Sequence, residues 1–236
     1  MGRNHYFQFK QFRIVQEKAA MKVGIDGILL GAWGRLEEAN RILDVGTGTG
    51  LLALMAAQRS EARIDALELD PGAAAEAGFN FQASPWAGRL RLRKGDFRQL
   101  ELTDSYDHIL SNPPFFEQGT PAAGTSRTQA RHANSLPLDE LLRKSSCLLT
   151  PGGKISLILP ARTEQRLRLL VRENRLYISR FYKVFPDGGK AAHRILVELT
   201  DREEETTAKD IFIREPGSKA YTDQYRELTR DFYLAF

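Results

Sequence analysis

A single cysteine, Cys147, occurs among the 236 residues, so neither disulfide staples nor a cluster of thiolate metal ligands is available to this chain. Cys147 falls in an apolar helical pattern and is expected in the core; no metal is expected. No apolar run approaches the roughly 18 residues needed to cross a bilayer. The opening MGRNHYFQFK also lacks the charged, apolar and small-residue order of a signal peptide. A soluble, unexported, cytoplasmic protein is expected. Internal repeats and low-complexity linkers are absent too, which points to one large α/β unit with appended elements.

Charge of one sign is scarce overall, with a net value of +4, yet Arg outnumbers Lys by 24 to 10. Arg has the planar fork suited to phosphates and bases. Between Arg162 and Arg194 there are nine Arg or Lys against Glu164, Glu173 and Asp187. Such a local excess suits a polyanionic partner, and equally a helix with a solvated basic face.

From Arg41 the chain alternates strand and helix: RILDVG, GLLALMAAQR, RIDALEL, PGAAAEAGFNFQA, LRLRKGD, YDHILSN, LPLDELLRKSSCLLT and KISLILP. That order predicts an α/β fold with a doubly wound, Rossmann-like, seven-stranded and mostly parallel sheet. A strand around 175–185 and HRILVEL at 193–199, separated by an Asp-Gly-Gly turn, are expected as an antiparallel pair closing the sheet edge. Ahead of the core, YFQFKQFRIV (6–15) reads as one strand and 24–33 as a short apolar helix. The polar segment 201–210 is expected as a loop, and 221–236 has the spacing of a docked helix. The expected units are an extension over 1–40 covering the cofactor site, a core over 41–200, and a closing strand and helix over 201–236.

ILDVGTGTG sets Asp44, Gly46, Thr47, Gly48 and Gly50 between the first core strand and a helix. The spacing is G-x-G-x-G, which is neither the G-x-G-x-x-G dinucleotide fingerprint nor a Walker loop with Gly-Lys-Ser/Thr. Asp44 would repel a pyrophosphate, so the loop suits a ligand with a positive or neutral group. S-adenosylmethionine, with an ammonium and a sulfonium but no phosphate, fits. Glu68 ends the second strand where a carboxylate takes ribose hydroxyls, while Asp70 before Pro71 reads as a helix cap. Asp96 ends the third strand and suits an adenine amino group, with Phe97 placed to cover the ring; Gly-Asp is also a common turn.

The fourth strand runs into Asn112-Pro113-Pro114-Phe115. Two prolines stop a strand because neither has an N–H for the ladder. With glycine loop, acid, Asp and Asn-Pro-Pro-Phe in that order, residues 41–160 resemble the class I S-adenosylmethionine-dependent methyltransferases, in the branch whose Asn-Pro-Pro-aromatic motif serves planar exocyclic nitrogens. The resemblance implies that the Asn112 side chain and Pro113 carbonyl accept the two hydrogens of an amino group, Pro114 stiffens the frame, and Phe115 stacks on a base. Phe115 and Phe116 suit a hydrophobic plug as well.

The stretch FKQFRIVQEKAAMKVGIDGILLGAW, with SPWAGRL, QARH and YRELTRDFYLAF, is similar to the bacterial tRNA(Val) adenine-N6-methyltransferases. That similarity extends over nearly the whole chain and implies N6-methylation of adenosine 37, a tRNA partner and no obligatory protein partner. It places Lys22, Gly24 and Asp26 near the methionine end of the cofactor; the family pattern has Thr where Ile25 stands, so that hydroxyl is lost. Phe116, Arg127, Arg131 and His132 are expected in a mobile loop that orders on RNA, with His132 equally suited to capping the next helix. Arg162, Arg166, Lys190 and Arg194 would extend the RNA track. Rival assignments are a protein glutamine N5-methyltransferase, a ribosomal RNA guanine-N2 enzyme, whose motif commonly continues with His where Phe116 stands, and a non-catalytic RNA-binding module.

Overall fold

The computed structural model describes residues 5–19, 21–114 and 136–235. The chain opens with a two-stranded antiparallel hairpin, β1 (Tyr6–Gln8) and β2 (Arg13–Val15). The sequence reading expected one strand over 6–15. The chain folds back instead because Phe9 and Phe12 both turn inward, stacked 4.6 Å apart and buried. The Gln8 side-chain amide donates to the carbonyls of both, closing the turn. Helix α1 (Ile25–Trp33) follows and is buried along nearly its whole length.

The core comprises β3 (Arg41–Val45), α2 (Leu51–Arg59), β4 (Arg63–Glu68), α3 (Pro71–Gln82), β5 (Leu90–Lys94), β6 (Tyr106–Ser111), α4 (Leu138–Cys147), β7 (Leu149–Pro160), α5 (Glu164–Glu173), β8 (Tyr177–Asp187) and β9 (Arg194–Thr200). After these come β10 (Thr207–Arg214) and α6 (Asp223–Thr229). The strands form one sheet in the order β10-β8-β9-β7-β6-β3-β4-β5. β9 runs antiparallel to both its neighbours, and every other pairing in this sheet is parallel.

The sheet thus has eight strands rather than the expected seven, and the antiparallel β8–β9 pair is not at its edge. β10 lies outside β8, parallel to it. Its first half, Thr207–Asp210, is exposed and reads as loop, which hid where this closing strand begins. Its second half buries Ile211 and Ile213 and stacks Phe212 on Phe185 at 4.8 Å.

Both faces are covered. One apolar cluster joins α1, α2, Phe81 of α3 and Tyr225 of α6 to the sheet; the other joins α4 and α5 to the opposite face. Cys147 is exposed rather than in the core. In α4 the inward stripe is Leu141, Leu142 and Ser145, and a residue two positions past Ser145 points away from it. Among the described residues, no helix is long and apolar enough to cross a membrane.

Where β3 sends the chain to β4 on one side while β6 pairs on the other, the helices leave in opposite directions and a crevice opens at the carboxyl edge. The glycine loop, Glu68 and Asn112 all stand there.

Candidate functional site at the carboxyl edge

The loop after β3 is built by left-handed glycines: Gly46 at φ 76°, Gly48 at 59° and Gly50 at 89°. Gly50 is doubly constrained, because an added Cβ would also lie 2.5 Å from Cε1 of Phe81. By contrast, Cβ positions at Gly46 and Gly48 meet nothing within 4 Å among the described residues, so among them the loop's bare backbone faces open space. Gly46 and Thr47 donate their N–H groups to Leu67 O at 3.0 and 2.9 Å, fastening the loop to the end of β4.

Asp44 is fully buried at the base of this loop. Its Oδ2 accepts from the Thr47 hydroxyl at 2.5 Å and from Ala53 N at 3.1 Å. Its Oδ1 is buried with no hydrogen-bond partner among the described residues. Burial pushes the carboxyl up to about 7, and the nearby Glu68 charge adds to the rise. An unpartnered carboxylate oxygen in that setting calls for a donor or a cation, since a buried unpaired polar atom is costly.

Glu68 sits 20 positions beyond Gly48 and binds it directly, Oε2 accepting Gly48 N at 2.7 Å while Oε1 accepts Asp70 N at 2.8 Å. Asp70 caps α3 through Ala73 N at 2.7 Å, as its place before Pro71 predicts. Asp96 is held by Arg98, whose Nε lies 2.9 Å from both carboxylate oxygens and whose Nη2 lies 2.6 Å from Oδ2. That guanidinium keeps its carboxyl below the usual range. Phe97 packs into the apolar cluster under α4, with the Lys144 ammonium 5.0 Å from its ring centre.

At the tip of β6, the Ser111 hydroxyl donates to Val45 O at 2.7 Å and locks this strand end to that of β3. Asn112 follows, its Oδ1 buried and unpartnered among the described residues. Pro113 is buried and Pro114 exposed. The absence of a side chain at Gly27 lets α1 come close: an added Cβ there would be 4.0 Å from Asn112 Nδ2 and 2.9 Å from Leu51 Cδ2. Phe115, Phe116, Arg127, Arg131 and His132 lie outside the described residues.

Gly24 caps α1, and Lys22 is exposed just before it. Asp26, in the first turn of α1, accepts from Arg194 Nε at 2.8 Å, joining two residues the sequence had placed in different roles. Arg162 follows β7, Lys190 lies between β8 and β9, and Arg166 is in the first turn of α5, so all three stand at or just beyond the carboxyl edge. Arg166 pairs with Asp139 at 3.7 Å and Lys190 with Asp187 at 2.9 Å. The basic run is not one surface, however. Arg180 is buried, its Nη1 3.3 Å from Glu198 Oε2 and 3.2 Å from Trp33 O.

Two residues at this edge escaped the sequence reading. Glu76 and Asn80 of α3 are buried; Glu76 binds the segment after β2, and Asn80 binds Val15 at the end of β2. Their only signal was a pair of polar side chains four apart in an alanine-rich helix.

A glycine loop after β3, an acid after β4 and an Asn-Pro-Pro turn after β6 at one crevice define an enzyme of the Rossmann-like, nucleotide-cofactor class. Buried acceptors at Asp44 and Asn112, beside a bare loop backbone with room in front of it, fit a cationic, hydrogen-bond-donating cofactor such as S-adenosylmethionine. The chain belongs to the methyltransferase small domain family, whose model matches residues 28–173, and within it to the group named tRNA1(Val) (adenine(37)-N6)-methyltransferase. It is 41% identical to the protein of that name from Bacteroides thetaiotaomicron, covering 98% of each chain. To that from Aeromonas salmonicida it is 42% identical, covering 99% of each. A crystal structure of a predicted O-methyltransferase from Agrobacterium tumefaciens shares the fold with a TM-score of 0.68 at 20% identity, covering 88% of this chain and 96% of that one.

Proposed function

We propose that this chain transfers a methyl group from S-adenosylmethionine to the exocyclic N6 of an adenosine in tRNA, with adenosine 37 of tRNA1(Val), for which its relatives are named, as the target. The observation that carries this is the buried Asn112 Oδ1 at the tip of β6, unpartnered among the described residues, next to the crevice where Asp44 likewise has an oxygen with no partner among them. Bound S-adenosylmethionine supplies an electrophilic methyl. Asp44 takes its ammonium, Glu68 its ribose hydroxyls, and Asp96 its adenine amino group, with Phe97 beneath that end of the site. Gly46, Thr47, Gly48 and Gly50 give the cofactor a close backbone approach, and Lys22, Gly24 and Asp26 flank its methionine end.

Asn112 Oδ1 and the Pro113 carbonyl accept the two hydrogens of the target amino group. That arrangement draws the nitrogen lone pair out of the ring and points it toward the methyl, so the chain contributes orientation and electrostatics rather than a strong base. The proton leaves after transfer, when the nitrogen has become acidic. Phe115 stacks on the extruded base, worth roughly 1–3 kcal/mol, which offsets part of the few kcal/mol of unstacking.

Arg162, Arg166 and Lys190 contact tRNA phosphates, with Phe116, Arg127, Arg131 and His132 contributing from the long segment after Pro114. The surface ion pairs of Arg166 and Lys190 exchange for phosphate at little cost. Arg194 reaches the same edge through its bond to Asp26. The enzyme acts in the cytoplasm and needs no second protein. Asn112→Ala tests the central step. Methyl transfer to tRNA is expected to fall by about 10²–10³-fold or more, with S-adenosylhomocysteine binding changed far less. Transfer at the wild-type rate would overturn the assignment.

A further inference from the structure

α3 carries AAAEAGFN, in which Glu76 and Asn80 are four apart and therefore on one face. Both are buried, at 6% and 1% exposure. Their partners come from outside the helix. Glu76 Oε1 accepts from Glu17 N and Lys18 N, each at 2.5 Å, and Oε2 accepts from Ala19 N at 2.7 Å. Three successive backbone N–H groups on one carboxylate form an anion-holding concavity, here closed on an acid from the same chain. Asn80 Oδ1 accepts Val15 N at 2.9 Å, while its Nδ2 donates to Val15 O at 3.0 Å and to Thr49 O at 2.8 Å. One amide therefore ties the end of the hairpin to the glycine loop.

Glu76 thus holds residues 17–19 and Asn80 holds Val15 just before them; the segment they start, described at 16–19 and 21–24, ends at Gly24, the cap of α1, and α1 passes close to Asn112 through Gly27. It therefore joins α3 to α1 on either side of the glycine loop. Its described residues bury little apolar surface: Glu17, Lys18, Met21 and Lys22 are exposed and Val23 is half-buried. Besides the Glu76 bonds, Gln16 Oε1 accepting Val23 N at 2.8 Å is an internal tie. A segment with so few buried apolar contacts sits at the low end of local stability, so a few hydrogen bonds govern how often it is closed.

We propose that Glu76 and Asn80 are positioning residues that latch segment 16–24 closed over the cofactor loop and so set the affinity for S-adenosylmethionine without taking part in methyl transfer. This rests on the proposed function, since the segment carries Lys22 and Gly24 and leads into Asp26. When the closed state is only fractionally populated, apparent affinity falls by that fraction, and a saturating cofactor restores closure.

Glu76→Gln replaces an acceptor with an amide N–H facing a backbone N–H. Asn80→Asp removes both donors and sets a carboxylate against Val15 O and Thr49 O. Each is expected to raise KM for S-adenosylmethionine and Kd for S-adenosylhomocysteine by about tenfold, with kcat at saturation within about twofold of wild type and KM for tRNA unchanged. Trypsin should cut after Lys18 and Lys22 faster in both variants without ligand, and excess S-adenosylhomocysteine should slow it again. Phe79→Ala, on an exposed position of the same helix, should behave as wild type in both assays.

Unchanged Kd and cleavage in both variants would overturn the proposal, as would a fall in kcat with KM unmoved. If one variant fails to fold, the other decides, because the two break different bonds. Failure of both would assign the pair to the core and equally overturn it. A wild-type protein that binds S-adenosylhomocysteine but methylates no tRNA would defeat the proposed function alone, leaving the binding and cleavage comparison to judge the latch.

Discussion

The Asp44 carboxyl, pushed up to about 7 by burial, makes this one residue a source of pH sensitivity in the ligand-free protein. Its folded value lies above its unfolded value, so the folded state holds the extra proton. The stabilisation is complete below the unfolded value near 4 and is lost as pH rises through about 7, on the order of 4 kcal/mol in all. Asp44→Asn should flatten that fall between about pH 4 and pH 8, raise the ligand-free melting temperature at the alkaline end, and weaken cofactor binding. Thermal melts across pH without ligand check the first two outcomes and calorimetry the third. Gly50→Ala tests the loop itself. It combines a left-handed φ with a Cβ 2.5 Å from Phe81, and a cost of about 1–3 kcal/mol in urea unfolding is expected.

Single elements show where sequence patterns suffice. Asp70 before Pro71 announced the cap of α3, and the two prolines after Asn112 announced the end of β6, because each acts through its own backbone. β10 announced itself only as a closing strand somewhere in 201–236, not where it begins. Its exposed half carries no alternation, and its buried half owes its place to pairing with β8, a contact of long sequence separation. The hairpin hides in the sequence for a related reason, since Phe9 and Phe12 continue a strand pattern yet turn inward to pack on each other. The two halves of β10 should accordingly respond differently. Ile213→Ala is expected to cost about 2–4 kcal/mol by urea unfolding, and Lys209→Ala to stay within about 0.5 kcal/mol. Within the site, Asp44, Glu68 and Asn112 were legible from their places at strand ends. The partners of Asp26 and Asp96 were not, because Arg194 is 168 residues away in sequence and Arg98 offers no periodic signal.

Across the whole molecule, two apolar layers sandwich a sheet whose centre holds a polar belt. His108 Nε2 is 2.8 Å from the Ser156 hydroxyl, and Glu198 is shared by Arg180, Lys154 and Ser179. Burial lowers His108 to about 4. Its folded value lies below its unfolded one, so its contribution is full above about pH 6.5 and is lost as pH falls toward 4, on the order of 3 kcal/mol. Without ligand, His108 thus weakens the fold on the acid side and Asp44 on the alkaline side. His108→Gln should flatten only the acid limb in chemical unfolding at fixed pH steps.

The same sheet presents the glycine loop, Glu68 and Asn112 at one edge, and the proposed base methylation depends on that convergence. Incubation with methyl-labelled S-adenosylmethionine and tRNA from a strain lacking this activity, followed by nucleoside analysis, tests it most directly. Label recovered as N6-methyladenosine, and lost with Asn112→Ala, is the predicted result. Label in N2-methylguanosine or in protein, or none in RNA, would contradict it.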